Sequence, residues 1–191
     1  MDGTAARASI RTVKILGIPG SLRATSSNAA ILRAAARVAP AGMEITVYDG
    51  LATLPHFSPD LDVDPLPAPV QDLRARIAAA DALMISCPEY AHGMPGSLKN
   101  ALDWLVSALE ALDKRVLLLS ASPGGATHAH AQLAEVLRTM NLRLVDGGAH
   151  QFTRARLDAS GEVADEAMLA AIRRALADLA ATAAGPSRAI T

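Results

Sequence analysis

A chain of 191 residues with 51% hydrophobic residues is long enough to bury one substantial core, is short for two domains, and is too apolar for intrinsic disorder. A formal net charge of -1 and an aromatic content of 3% exclude a strong electrostatic pull toward nucleic acid or acidic membranes and leave few base-stacking platforms. The single cysteine, Cys87, excludes an internal disulfide and suits a reducing compartment.

Residues 1–12 carry scattered Arg and Ala without an apolar core segment, so they read as a loose leader and not as a secretory signal. No apolar run is long enough to span a bilayer, and a cytoplasmic location is expected. Val13-Lys14-Ile15-Leu16-Gly17-Ile18 reads as the first strand, broken by Pro19-Gly20-Ser21. A helix from about Asn28 to Val38 turns Ile31 and Leu32 inward and ends at Pro40-Ala41-Gly42. Glu44 to Tyr48 alternates and reads as a strand nearer the sheet edge. The connection from Asp49 to Pro69 is long and proline-rich, the kind that is usually functional or mobile. Val70, Leu73 and Ile77 mark the next helix, with Asp72 and Arg76 paired on its outer face.

Ala82 to Cys87 is an apolar run and reads as a buried strand. Leu98, Leu102, Leu105, Leu109 and Leu112 recur at helix spacing and predict one helix over that whole span. Val116 to Ser120 does not alternate, as expected for a strand covered on both faces. Leu133, Val136, Leu137 and Met140 define another helix, and Leu142 to Val145 a fifth strand. A variable region from Gly147 to Gly161 precedes a last helix with Met168, Ile172, Leu176 and Leu179 inward. Gly185-Pro186 ends it and opens a loose tail, residues 185–191, which leaves 13–184 as the folded domain. Strands alternating with helices predict an α/β three-layer sandwich with five parallel strands in the order 2-1-3-4-5.

In that order, the loops after strands one, three and four leave neighbouring strands at their carboxyl ends, where ligands bind in open parallel sheets. The first, Gly20 to Asn28, offers the hydroxyls of Ser21, Thr25, Ser26 and Ser27, the guanidinium of Arg23 and the amide of Asn28. Hydroxyls and one Arg at a helix start suit a phosphate dianion; helix capping by Ser26, Ser27 or Asn28 is the plainer alternative. The loop is neither a Walker A motif nor a dinucleotide fingerprint. The second loop, Pro88 to Pro95, holds the carboxylate of Glu89, the ring of Tyr90 and the imidazole of His92, which either meets a ligand or rests on the surface. The third, Ser120 to Thr127 with Ser122, Gly124 and Gly125, lets backbone come close to a flat ligand; the alternative is an ordinary turn before a helix capped by Thr127. No nucleophile elbow is present. His128 and His130 are two apart and share no helix face. Cys87 reads as filler at a strand end, with a reactive thiol as the alternative.

Gly20-Ser21-Leu22-Arg23 with Ser26 and Asn28, then Pro88-Glu89-Tyr90 with Pro95-Gly96 and Leu98-Lys99-Asn100, resemble the motifs of the NADPH-dependent FMN reductase family. That family has a flavodoxin-like fold and includes quinone, azo-dye and chromate reductases. The Asp103-Trp104 pair and the Ser/Gly-rich third loop fit as well, and the resemblance runs from Val13 to about Leu179. It implies that Ser21, Arg23, Ser26 and Asn28 hold the FMN phosphate, with Ser27 beside them. It implies that Pro88, Glu89 and Tyr90 line the flavin, and that Ser122, Gly124 and Gly125, following Ser120, approach it from the other side. Many members have Asn after the Tyr, where this chain has Ala91. Lys99, Asn100 and Asp103 read as helix-start and surface pairing.

The implied function is electron transfer from NADPH or NADH through bound FMN to a quinone, azo compound, flavin or metal-ion acceptor, with no side chain required as acid or base. One phosphate cradle implies FMN and not FAD. The runner-up is a non-enzymatic flavodoxin-type electron carrier, disfavoured because such carriers are typically acidic and hold the flavin between aromatic rings. A phosphate-sensing module is the third reading. The family also implies a homodimer or homotetramer; the apolar stripe of Leu98, Leu105 and Leu112 either serves that contact or is buried in the monomer.

Overall fold

The computed structural model describes residues 11–122, 124–145, 150–152 and 157–183. Apart from Arg11 and Thr12, the expected leader and tail lie outside the described residues, as do parts of the variable region. The chain runs β1 (Val13–Pro19), α1 (Ser27–Arg37), β2 (Met43–Val47), α2 (Ala68–Ala79), β3 (Ala82–Ser86) and α3 (Gly96–Asp103). It continues with β4 (Arg115–Ser120), α4 (Thr127–Thr139), β5 (Arg143–Leu144), β6 (His150–Gln151) and α5 (Glu166–Ala183).

The strands are parallel and ordered β2-β1-β3-β4-β5, as the sequence predicts. Burial follows position in the sheet. Every residue of β3 is buried, whereas β2 alternates as an edge strand does. The two sheet faces divide the core. Leu16, Ile18, Leu83, Ile85, Val116 and Leu118 pack against α2, α3 and α4. Ile15, Met84, Leu117 and Leu119 face the other way, onto Ile31 and Leu32 of α1 and Ile172 and Leu176 of α5. Successive strand residues point to opposite faces, so one apolar run serves both layers.

Two elements depart from the sequence reading. The far edge strand comes in two pieces. β4 pairs Arg115 with Arg143 in β5 and Leu119 with His150 in β6. Four steps along β4 thus match seven along the edge, so the register of the two pieces differs by three residues.

The helix expected over Leu98 to Leu112 stops at Asp103. Arg74 donates from Nε and Nη2 to the Trp104 carbonyl at 3.0 and 2.7 Å, and its Nη2 also reaches Asp62 and Ser107. The Trp104 indole N–H donates to the Pro55 carbonyl at 2.8 Å. These bonds satisfy a helix end from outside, and the chain then turns through a short 3-10 segment, Leu109–Ala111. Leu98 and Leu105 are buried inside the chain, while Leu109 is 78% exposed. The leucine stripe is therefore largely internal, and Leu109 is no part of it.

Candidate active site

The loops after β1, β3 and β4 converge on one cleft of roughly 410 Å³ at the carboxyl ends of those strands. Ser21, Arg23, Ser26, Ser27 and Asn28 line it from the first loop; Pro88, Glu89 and Tyr90 from the second; Ser122 and Gly124 from the third. Ala121 and Ala126 complete the wall. Their small apolar side chains carry no chemical signal in the sequence. Of the expected residues, Ser120, Gly125 and His92 do not line it.

The first wall is sparsely bonded. The Gly20 N–H donates to the Ser86 carbonyl at 2.9 Å, and a Cβ there would lie 3.1 Å from both Leu98 and Pro88, so glycine lets the loop leave the sheet close to β3. Ser21 Oγ accepts from the Arg23 N–H at 3.3 Å and lies 3.4 Å from the Tyr90 hydroxyl. The Arg23 guanidinium is exposed, and its one side-chain partner among the described residues is Thr25 Oγ1 at 3.5 Å. Ser26 caps α1, its Oγ accepting from the Ala29 N–H at 3.3 Å. The remaining first-turn amides of α1 have no intrahelical acceptor.

Asn28 departs from the expected role. It is buried, and its Oδ1 accepts from Ser86 Oγ at 2.9 Å and from the Ala121 N–H at 3.1 Å. It ties the start of α1 to the ends of β3 and β4, and only its Nδ2 is left to meet a ligand. This crosslink is invisible in the sequence because its partners are 58 and 93 residues away.

The second wall begins at Cys87. Its buried thiol donates to the Pro88 carbonyl, and burial, helped by the Glu89 charge, pushes its pKa up to about 12. It is filler and not a nucleophile. Tyr90 and Gly93 exchange both backbone hydrogen bonds, at 3.0 and 2.9 Å, across a two-residue turn. Both turn residues, Ala91 at φ 48° and His92 at φ 60°, are left-handed. Asn tolerates that conformation better than Ala. Backbone geometry thus gives a reason for the Asn that the family resemblance implies at this position, without any polar contact to a ligand. Tyr90 is 52% exposed at the cleft mouth. The His92 ring points elsewhere, stacked on His128 with centroids 4.2 Å apart.

In the third loop Ser120 is fully buried, its Oγ accepting from the Ser122 N–H at 3.1 Å. It shapes the turn from beneath. Gly125 adopts φ 82°, which glycine permits, and is buried behind Gly124. Thr127 does not cap α4. Ala126 holds the cap position in left-handed geometry and offers no side-chain bond. Glu89 supplies it from the neighbouring loop, its Oε2 accepting from the Ala129 N–H at 2.9 Å. That bond, reinforced by the His128 N–H and the nearby imidazoles, holds the carboxyl below the usual range against the opposing effect of desolvation. Gln132 Oε1 accepts from the Met94 N–H at 2.9 Å one turn further along α4. His130 is buried with Nε2 against the Leu119 carbonyl, and burial lowers its pKa.

Arg23 and Tyr90 also border a second hollow of roughly 470 Å³, lined further by Leu22, Pro95 and Ser97. Lys99 pairs with Asp103 along α3. Asn100 accepts from the Phe57 N–H and donates to the Pro55 carbonyl, each at 2.9 Å or less, and so pins the long connection.

Residues 13–156 match the NADPH-dependent FMN reductase family. An NAD(P)H-dependent FMN reductase of Pseudomonas aeruginosa is 34% identical over 160 residues, covering 81% of this chain and 86% of its own. A quinone reductase of Escherichia coli is 33% identical, covering 65% and 69%. An NAD(P)H:quinone oxidoreductase of Solanum tuberosum is 31% identical, covering 90% and 93%. Among solved structures, a flavoenzyme NAD(P)H:(acceptor) oxidoreductase from Paracoccus denitrificans superposes with a TM-score of 0.76 at 25% identity, over 89% of this chain and 98% of that one. With the match extending over most of the chain and the sheet in the expected order, the protein belongs to the NADPH-dependent FMN reductase family.

Proposed function

We propose that the protein is an FMN-dependent NAD(P)H oxidoreductase that reduces quinones and chemically related acceptors. The observation that carries this reading is the two-ended cleft. One end gathers an exposed guanidinium, serine hydroxyls and the free amides of the α1 N-terminus, a donor set that fits a phosphate monoester. The other is a slot between Pro88–Tyr90 on one side and Ser122, Gly124 and Ala126 on the other, which suits a flat ring.

In this reading Arg23, Ser21 and Ser27 hold the phosphate, together with the Ser26 hydroxyl, whose proton remains free while its oxygen caps α1. Asn28 Nδ2 is the other donor available at that end. Pro88 and Tyr90 bound the ring on one side, and Ser122 and Gly124 on the other. FMN, when bound there, would supply the two-electron redox chemistry between NAD(P)H and the acceptor. No side chain of the cleft is assigned as acid or base. A single phosphate cradle favours FMN over FAD. The adjoining hollow gives an acceptor a path to the exposed Tyr90 ring.

No helix among the described residues is long and apolar enough to cross a membrane, and we place the enzyme in the cytoplasm. A homodimer or homotetramer fits the exposed Leu61, Val63, Val106 and Leu109, whose segments are joined by the Ser107–Asp62 hydrogen bond.

The test is the visible spectrum of the purified protein before and after NADPH is added without oxygen. A flavin spectrum that bleaches on addition and returns with a quinone supports the reading. A flavin that keeps its colour would point to an electron carrier, and a colourless protein that takes up no flavin would exclude both.

A further inference from the structure

The side chain of Glu89 lies at the cleft but is already engaged by the protein. Helix α4 begins after two consecutive left-handed residues, Gly125 and Ala126, and its cap residue has no side chain to offer its first amides. Such amides are normally taken by a Ser, Thr, Asp or Asn of the same segment. Here the acceptor arrives from the loop after β3, 40 residues away: Glu89 Oε2 lies 2.9 Å from the Ala129 nitrogen. A carboxylate at that end also meets the positive pole of the helix.

Two more contacts join the same loop to the same helix. His92 stacks on His128, and the Met94 N–H donates to Gln132. Residues 128, 129 and 132 lie on adjoining positions of α4, so the three contacts form one continuous seam. The Glu89 bond is its innermost part, because Glu89 and Ala126 both line the cleft whereas His92 and His128 are exposed.

The geometry points to Glu89 as a positioning residue. By capping α4 from the opposite loop, it locks the two walls of the ring slot at a fixed separation. This inference rests on the flavin reading for its ligand but not for its mechanism. What the slot requires of Glu89 is an acceptor oxygen at the reach of Ala129. Its negative charge is secondary. The two are separable, because Gln keeps the reach and loses the charge, while Asp keeps the charge and falls one methylene short.

The experiment compares wild type, Glu89→Gln and Glu89→Asp as ligand-free proteins of verified fold. Hydrogen exchange of the Ala129 amide is measured first, followed by fluorescence titration with FMN and with riboflavin. Glu89→Gln should match wild type within about twofold in exchange and in both affinities. Glu89→Asp should exchange the Ala129 amide about tenfold faster and lose about tenfold in affinity for both flavins equally, the size expected for one hydrogen bond. The reverse order, with Asp intact and Gln impaired, would overturn the proposal in favour of a charge that acts on the ligand directly. So would two variants indistinguishable from wild type. If wild type binds neither flavin, the flavin reading fails, and the exchange rates alone still decide whether Glu89 holds α4.

Discussion

The two sides of the cleft are built differently. The loop after β1 leaves Arg23 and Ser21 facing outward: among the described residues, the Arg23 guanidinium has one long contact to Thr25, and Ser21 Oγ meets only the Arg23 N–H and the Tyr90 hydroxyl. The loop after β3 is bound to the helix that follows β4 through Glu89, the His92–His128 stack and Gln132. A wall that keeps its donors unused is suited to hold a charged group. A wall that spends its polar groups on itself is suited to hold a shape. One cleft therefore divides recognition between a phosphate end and a ring end.

The largest effect should come from breaking the crosslink between the two sides. Asn28→Ala strips the acceptor from the buried Ser86 hydroxyl and from the Ala121 N–H. Leaving two such groups unpaired should cost about 2–4 kcal/mol. Urea unfolding followed by circular dichroism should show a lower midpoint with an unchanged slope. A stability equal to wild type would mean that Asn28 is a ligand group and not a structural tie.

Arg23→Ala tests the open side alone. Removing a charge-assisted bond worth about 1.5–3 kcal/mol should weaken FMN binding roughly 10- to 150-fold and leave the fold intact. Riboflavin, which has no phosphate, should bind as before. Equal losses for both ligands would mean that the loop had collapsed.

The smallest effect should be a gain. Ala91 sits at φ 48° in the Tyr90–Gly93 turn, a conformation that costs a residue with a Cβ about 1–2 kcal/mol. Part of that is offset by the backbone entropy of glycine. Ala91→Gly should therefore stabilise the protein by about 0.5–1 kcal/mol, raising Tm by about 1–4 °C in a thermal melt. A fall in Tm would show that the turn is not strained.

The same contrast explains what the sequence discloses. Buried strands such as β3 and β4 announce themselves as unbroken apolar runs, and the sheet order follows from alternation with helices. Ser21 and Arg23 of the first loop are legible because they do little within the protein. Glu89, His92 and Ser120 are recognisable as chemical types, but their directions are set by Ala129, His128 and the Ser122 N–H, partners that no local pattern reveals. The end of α3 is hidden for a similar reason. The leucine spacing continues past Asp103, and it is Arg74, from another helix, that takes the Trp104 carbonyl. The two pieces β5 and β6 pair through two residues each, too few to show a period.

The division between a phosphate end and a ring end is tested most directly on the wild-type protein by titrating the flavin-free form with FMN and with riboflavin under identical conditions. Both should bind, with FMN tighter by at least about tenfold, the lower end of the contribution of one charge-assisted contact. Equal affinities for the two, or binding of neither, would contradict it.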